Sequence, residues 1–438
     1  LFFPGMLISQ HPDFPETYKD SLTDTIFNEL VRDEYSWLEK VYSPQCKEWV
    51  KQQNAYTKKA LRKASNKWDS YVAIDKYAYV KYDNPIKMGD YFFTYAYHNN
   101  YNVPAIFVQN SLNSDPEILV DPAYISGKDN ILIKDFDVSK NSEYLAYQFC
   151  RNGSDWCEIK VVNIKSGHHK KDHLKNVKFS NIAWRGNGFY YSSFSGQEIG
   201  VSMAQEIYYH QLGTDQKEDQ LIFKRGNNPK AFFYAFTTSD ERYLIVKEID
   251  NEKNILNFFY IDFKSQILTL RPLLTRLSTN DNIEIIDNQG DYMIAFSYKD
   301  ADNGMIIKFK PSEATMLNVV IPEYDSAFLR RVKLLDDKIL TVYQTNRKQQ
   351  IIFFDYQGNI LHSLQLPFGF AAKGFSGEKE DTRILFSYEG YVIPKVVYIL
   401  NTETYEMKSL RATVVNFDFT QFETKEFQCK SFDGTPIP

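Results

Sequence analysis

Residues 142–167 read SEYLAYQFCRNGSDWCEIKVVNIKSG. Apolar and aromatic residues fill Tyr144–Cys150, small polar residues fill Asn152–Asp155, and a second apolar run follows from Cys157 to Ile164. The pattern predicts two strands joined by a turn. Flat rings and β-branched side chains suit a pleated surface, and tight turns favour small polar residues. Cys150 and Cys157 flank the turn. A bridge between them requires an oxidising compartment, and two free thiols on strands are the simpler expectation.

The same turn-then-strand pattern recurs as KMGDYFFTYAY, WRGNGFYYSSF, TSDERYLIVKE, DNQGDYMIAFS, LLDDKILTVYQ and GEKEDTRILFSY. Anchors at Tyr91, Tyr144, Phe189, Tyr243, Tyr292, Ile339 and Ile384 are separated by 53, 45, 54, 49, 47 and 45 residues. Each anchor strand is followed by another alternating strand, such as PAIFVQN or QQIIFFDYQGN. That length suits a four-stranded antiparallel sheet. Such a sheet is apolar on both faces and needs a neighbour on each. Residues 77–424 are therefore expected to form a mainly β fold, a seven-bladed β-propeller. Tandem β-sandwiches would not impose this period, and no G-H…W-D or paired-glycine signature places it among WD or kelch repeats.

Residues 1–76 differ. The run SLTDTIFNELVRDEYSWLEKVYSPQCKEWVKQQNAYTKKALRKA is charged and amphipathic, with Trp49, Val50, Gln53, Tyr56, Ala60 and Leu61 at helical spacing. It predicts an arm of one or two helices, with Ser43 as a cap and Pro44 in the first turn. A crossover into strands is expected at Tyr71–Val80. The opening LFFPGMLI is short and lacks a basic flank, so it does not read as a complete signal peptide. The closing KSFDGTPIP, Lys430–Pro438, reads as the end of one strand, a turn at Asp433-Gly434 and the start of another.

A net charge of −5 leaves no basic footprint for nucleic acid or an anionic membrane surface. No run approaches the ~18 apolar residues of a membrane span. The chemistry-bearing motifs are also missing. SFSGQ and GFSGE are not G-x-S-x-G elbows, and there is no Gly-rich phosphate loop or H-E-x-x-H. The cluster GHHKKDH at 167–173 is mixed with lysines and reads as a solvated loop, not a metal site. His210 reads as a structural strand histidine. No cofactor, metal or catalytic residue is assigned within the chain, which looks like a domain that assists chemistry performed elsewhere.

RDEYSWLEK…KEWVKQQNAYTKKAL resembles the amino-terminal motif of the prolyl oligopeptidases. The stretch quoted first, together with VKFSNIAW, IYYHQLGTDQKEDQLIF and KSFDGTPIP, is similar to segments of that family in the same order. Glu34 departs from the proline usual there. The resemblance implies a serine peptidase that cleaves short peptides on the carboxyl side of proline, with a propeller gating access to an α/β-hydrolase domain. Residues 1–76 would belong to that hydrolase domain, and 425–438 would begin the return to it. The Ser/His/Asp triad would lie beyond Pro438, so this chain alone is expected to be inactive. The implied partners are short proline-containing peptides and the chain's own carboxy-terminal hydrolase domain. The segments near Tyr77 and Phe422–Phe427 would act as connectors. A freestanding binding propeller and a sister peptidase of other specificity are the alternatives. The compartment is left open between cytoplasm and periplasm.

Three residues carry the implied site. Phe179 in VKFSNIAW reads from alternation as a packing residue between blades; the resemblance makes it a contact for bound peptide. Asp155 in NGSDW is a turn residue by composition; the resemblance has it pair with a substrate-binding arginine of the hydrolase domain. Phe232 in PKAFFYAF falls roughly where the family places an apolar pocket residue.

Overall fold

The computed structural model describes residues 14–65, 83–97, 103–125, 129–194, 204–226, 230–345, 348–413, 418–425 and 427–437. The chain divides into two compact units, residues 1–78 and 79–438. In the first unit, Thr23–Ile26 (β1) and Glu29–Arg32 (β2) form an antiparallel hairpin. The helical reading of this stretch is corrected. Phe27 and Asn28 both take left-handed backbone, at φ 52° and 65°, closing a two-residue turn that no α-helix contains. Strand-favouring Thr23, Thr25 and Val31 flank it.

One α-helix follows, Pro44–Ser65 (α1). Ser43 Oγ accepts the backbone N–H of Cys46 at 3.1 Å, and Pro44 opens the first turn, where no N–H is needed. Trp49, Gln53 and Tyr56 share the helix face that covers the preceding chain. Trp49 Nε1 donates to Thr17 Oγ1 at 3.0 Å, and Tyr56 packs on Phe14 with centroids 5.3 Å apart. Trp37 is buried edge-on between Tyr18 and Trp49. The strands expected at Tyr71–Val80 lie outside the described residues.

The second unit is built from antiparallel runs of four strands. The first run is Ile86–Met88, Tyr91–Ala96, Ala105–Gln109 and Glu117–Val120 (β3–β6). Then come Ile131–Val138, Tyr144–Arg151, Cys157–Asn163 and His169–Val177 (β7–β10), and Ala183–Trp184, Gly188–Phe194, Gln205–Gln211 and Gln220–Phe223 (β11–β14). Ala231–Thr237, Tyr243–Asp250, Ile255–Asp262 and Arg271–Leu277 are β15–β18. Glu284–Gln289, Tyr292–Ser297, Met305–Phe309 and Asn318–Ile321 are β19–β22. Phe328–Leu334, Ile339–Gln344, Gln349–Phe354 and Ile360–Gln365 are β23–β26. Phe370–Ser376, Arg383–Gly390, Val396–Asn401 and Met407–Ala412 are β27–β30. Every sequence anchor falls on the first or second residue of the second strand of its run.

The expectation of a seven-bladed propeller is corrected by the hydrogen bonding. Five four-stranded sheets stand alone, and β7–β14 form one continuous eight-stranded sheet. The reason is the brevity of β11. Its two residues cover only Tyr190 and Phe189 of β12, which leaves the edge of β12 open near Ser193. The nine-residue β10 takes that edge. Val177 pairs with Ser193, whose Oγ donates to the Asn176 carbonyl at 2.9 Å.

The sheets close into a propeller because each buries its faces on its neighbours. Phe93 and Phe136 join β3–β6 to β7–β10, and Phe233 sits with Ile207 in the core between β11–β14 and β15–β18. Further buried clusters join the remaining sheets in series. Closure is polar: Asn84 Nδ2 donates to Ser387 Oγ at 2.9 Å, and the backbone N–H of Gly89 donates to Glu378 Oε1 at 2.9 Å.

GHHKKDH is not a loop. From His169 it belongs to β10, where Asp172, Leu174 and Val177 are buried and Lys171, His173 and Lys175 are exposed. The inward aspartate hides the period-two pattern. Cys429–Lys430 (β31) and Pro436–Ile437 (β32) form the small hairpin expected at the end of the chain, with Gly434 at φ 83° in its turn.

Alternating strand direction fixes which loops share a face. The turn between second and third strands and the exit from the fourth strand lie on one face, and so does the entry to each first strand. The start of β3 and the end of β30 open on this face too.

Candidate functional site

The turn at residues 151–156 lies on that face. Asn152 and Gly153 are both left-handed, at φ 53° and 75°, and the Ser154 N–H donates to the Arg151 carbonyl at 2.9 Å. This tight turn lies within the six-residue connection 151–156 that follows the Cys150–Cys157 pair, and Asn-Gly suits its left-handed backbone. Asn152 and Arg151 anchor it to Asp129 at 2.9 and 3.0 Å, and Arg151 also reaches Glu158 at 2.7 Å. Cys150 and Cys157 face each other across β8 and β9 and are disulfide-bonded, which corrects the expectation of free thiols. Asp155 and Trp156 are thereby held on a stiff base and face solvent.

Phe179 sits in the crossover leaving β10. Its backbone is left-handed at φ 50°, a conformation costly for an aromatic residue. The amide of fully buried Gln205 holds it there. Gln205 Nε2 donates to the carbonyls of Lys178 and Phe179 at 2.9 and 3.1 Å, while its Oε1 accepts the Phe233 N–H at 2.6 Å. The Phe179 ring stands edge-to-face on Phe232, with centroids 5.1 Å apart, and remains 44% exposed. Phe232 is half-buried and lies on the opposite side of β15 from fully buried Phe233.

Lys178 ties the pieces together. Its Nζ lies 4.9 Å from the Phe179 ring, 5.4 Å from the Trp156 ring and 3.8 Å from Asp155 Oδ2. Trp156 also packs edge-on against Phe194, at 5.5 Å. The structure thus brings Asp155, Phe179 and Phe232 into one cluster. Sequence reasoning missed Lys178, Trp156 and Gln205. The first two adjoin predicted residues in NGSDW and VKFSNIAW; no local signal marks Gln205. The cluster offers apolar ring faces, one cation and one exposed carboxylate. That is binding chemistry, and among the described residues no serine hydroxyl or thiol hydrogen-bonds a histidine ring. Among them, too, no His/Cys/Asp/Glu group could hold a metal ion.

His210 lies in the sheet interior. Its Nδ1 meets Asp219 at 2.7 Å and its Nε2 meets Asp172 at 3.0 Å, with all three side chains 1% exposed. Burial alone would lower its pKa, but the two carboxylates reverse this and hold it at about 9. The imidazolium locks β10 and β13 to the short turn after β13. Inside the ring, β19, β23 and β27 line a cavity of about 510 Å³ bearing Asp287, Lys333 and Glu378. Burial pushes Asp137 of β7 up to about 7, with added repulsion from Asp135 and Glu378.

Residues 15–413 match the family described as prolyl oligopeptidase, N-terminal β-propeller domain. The chain is 27% identical over 436 residues to a prolyl endopeptidase of Elizabethkingia miricola, covering 97% of this chain and 61% of that relative. It is 24% identical over 480 residues to prolyl oligopeptidase A of Galerina marginata, covering all of this chain and 63% of that relative. The chain therefore spans about three fifths of the length of these relatives. A solved structure from work on two prolyl endopeptidases superposes with a TM-score of 0.85 at 21% identity, over 97% of this chain and 63% of that one. Prolyl oligopeptidase B of Galerina marginata, bound to a 35mer hydrolysis and macrocyclization substrate, superposes at 0.84 with 20% identity, over 97% and 64%. These two similarities establish the fold.

Proposed function

Because the chain belongs to the prolyl oligopeptidase family through its N-terminal β-propeller domain, we propose that its ring is the substrate-facing part of a serine peptidase cleaving short peptides after proline. In this reading an α/β-hydrolase domain carries the Ser/His/Asp triad, outside the residues described above, and residues 1–76 belong with it. The observation that carries the reading is the Lys178-centred cluster of Asp155, Phe179 and Phe232. It stands on the same face as both chain ends of the ring, where a domain continuous with those ends would meet it.

The roles follow from the chemistry. Phe179 and Phe232 offer a rigid apolar contact to a peptide side chain without taking part in proton transfer. Asp155, solvent-facing and only loosely paired with Lys178, is available to orient a guanidinium from the catalytic domain. The propeller admits short peptides and excludes folded proteins.

Fluorescence anisotropy with a labelled proline-containing octapeptide tests this. Phe179→Ala should weaken binding about five- to tenfold, the loss of one aromatic contact. Equal affinities for wild type and the Phe179→Ala and Phe232→Ala variants would overturn the site.

A further inference from the structure

A second cavity, about 690 Å³, opens on the same face between the end of β14 and the β17–β18 edge. Its lining includes the packed rings of Phe223 and Phe259, with centroids 5.2 Å apart, and two arginines, Arg225 and Arg276. We propose that it is a second peptide subsite that receives a carboxylate about four residues from the one held at Phe179 and Phe232; this rests on the peptide-binding reading above.

The two arginines are not equivalent. Arg225 is paired with the buried carboxylate of Glu248, which also accepts from Asn257 Nδ2 at 2.8 Å. Arg276 has no carboxylate partner among the described residues. Leu256 pairs with Leu277 and Phe258 with Leu274, so Thr275 and Arg276 together oppose the single residue Asn257. This is a β-bulge, a device that re-aims a side chain. The Arg276 backbone is left-handed at φ 62°, and its N–H donates to Asn257 Oδ1 at 2.7 Å. Glycine is the residue suited to that conformation. An arginine there, on a buried Asn257–Glu248 scaffold, puts a guanidinium with no carboxylate partner among the described residues beside apolar rings. That chemistry recognises a carboxylate flanked by an apolar group.

The spacing follows from the sheet. Phe232, Ile249, Leu256 and Leu277 are successive partners across β15–β18. Three strand spacings of ~4.8 Å make about 14 Å, which an extended peptide crosses in about four residues.

The test is anisotropy on the 438-residue chain with labelled peptides that carry Glu four residues before or after the proline anchor. Each is compared with its Gln counterpart, and a free carboxy-terminal acid with its amide distinguishes a terminal from a side-chain carboxylate. One acid form should bind about tenfold tighter than its neutral counterpart, as for one charge-assisted pair. Arg276→Gly should erase that ratio, keep the affinity for the neutral peptide, and melt no lower than wild type, because glycine fits φ 62°. Phe179→Ala should weaken both peptides equally and leave the ratio intact. Peptides that bind with no acid preference, or with a preference that survives Arg276→Gly, overturn this subsite alone. Persistence of the ratio together with an inert Phe179→Ala overturns the anchor instead. No binding by any peptide overturns both.

Discussion

The buried amide of Gln205 holds the carbonyl of Phe179 at 3.1 Å and so fixes an exposed aromatic ring in left-handed backbone. One side chain from β13 thus joins the crossover after β10 to the first residues of β15. Gln205→Leu should leave the Phe233 N–H without its partner and free the crossover. We expect a loss of about 2–4 kcal/mol by urea denaturation, the cost of stranding buried polar groups, and weaker peptide binding. Unchanged stability would show that the amide does not hold the crossover.

Phe179→Asn separates folding from binding. Asparagine accepts left-handed backbone, and the Phe179 ring is half exposed, so little packing is lost. The thermal midpoint should hold or rise, as up to ~1 kcal/mol of strain is relieved, while peptide affinity falls. A lower midpoint would mean that the ring supports the fold.

His210 makes the stability of the ring depend on pH. Its folded pKa, about 9, lies above its ordinary value of 6.5. The stabilisation from its charge is therefore complete below pH 6.5 and is lost as pH rises through 9. His210→Phe leaves Asp172 and Asp219 buried without their cation, and at pH 6 should cost about 3–5 kcal/mol. The gap from wild type should narrow by pH 10. A gap independent of pH, measured by denaturation at pH 6, 8 and 10, would mean that the imidazole is neutral.

Asp137 acts in the same sense from a different cause, burial of its own carboxyl. Its folded pKa, about 7, lies above the ordinary 3.8, so wild type loses stability as pH rises between these values. Asp137→Asn should match wild type near pH 4 and exceed it at pH 8. Equal stability at both would show that the carboxyl is ionised without cost.

Much of this is local and can be read directly from the chain. Asn152-Gly153 specifies its turn, Ser43-Pro44 starts α1, and the aromatic and isoleucine anchors mark the start of the second strand of each run, because turn chemistry, capping and period-two burial act over a few residues. The family resemblance named Asp155, Phe179 and Phe232, but nothing local placed them beside one another. Other features resisted because their cause lies elsewhere in the chain. Asp172 looks like a loop residue until His210, 38 positions later, arrives to pair with it.

The sequence by itself determined the strand repeat, the placing of the turns and the resemblance to the family. Tertiary structure decided the rest: the junction of β10 with β12, the pairing of Asp172 with His210 and the meeting of Lys178 with Trp156. The physical reason is that strand pairing and side-chain clustering depend on partners distant in the chain, whose arrival no local pattern encodes.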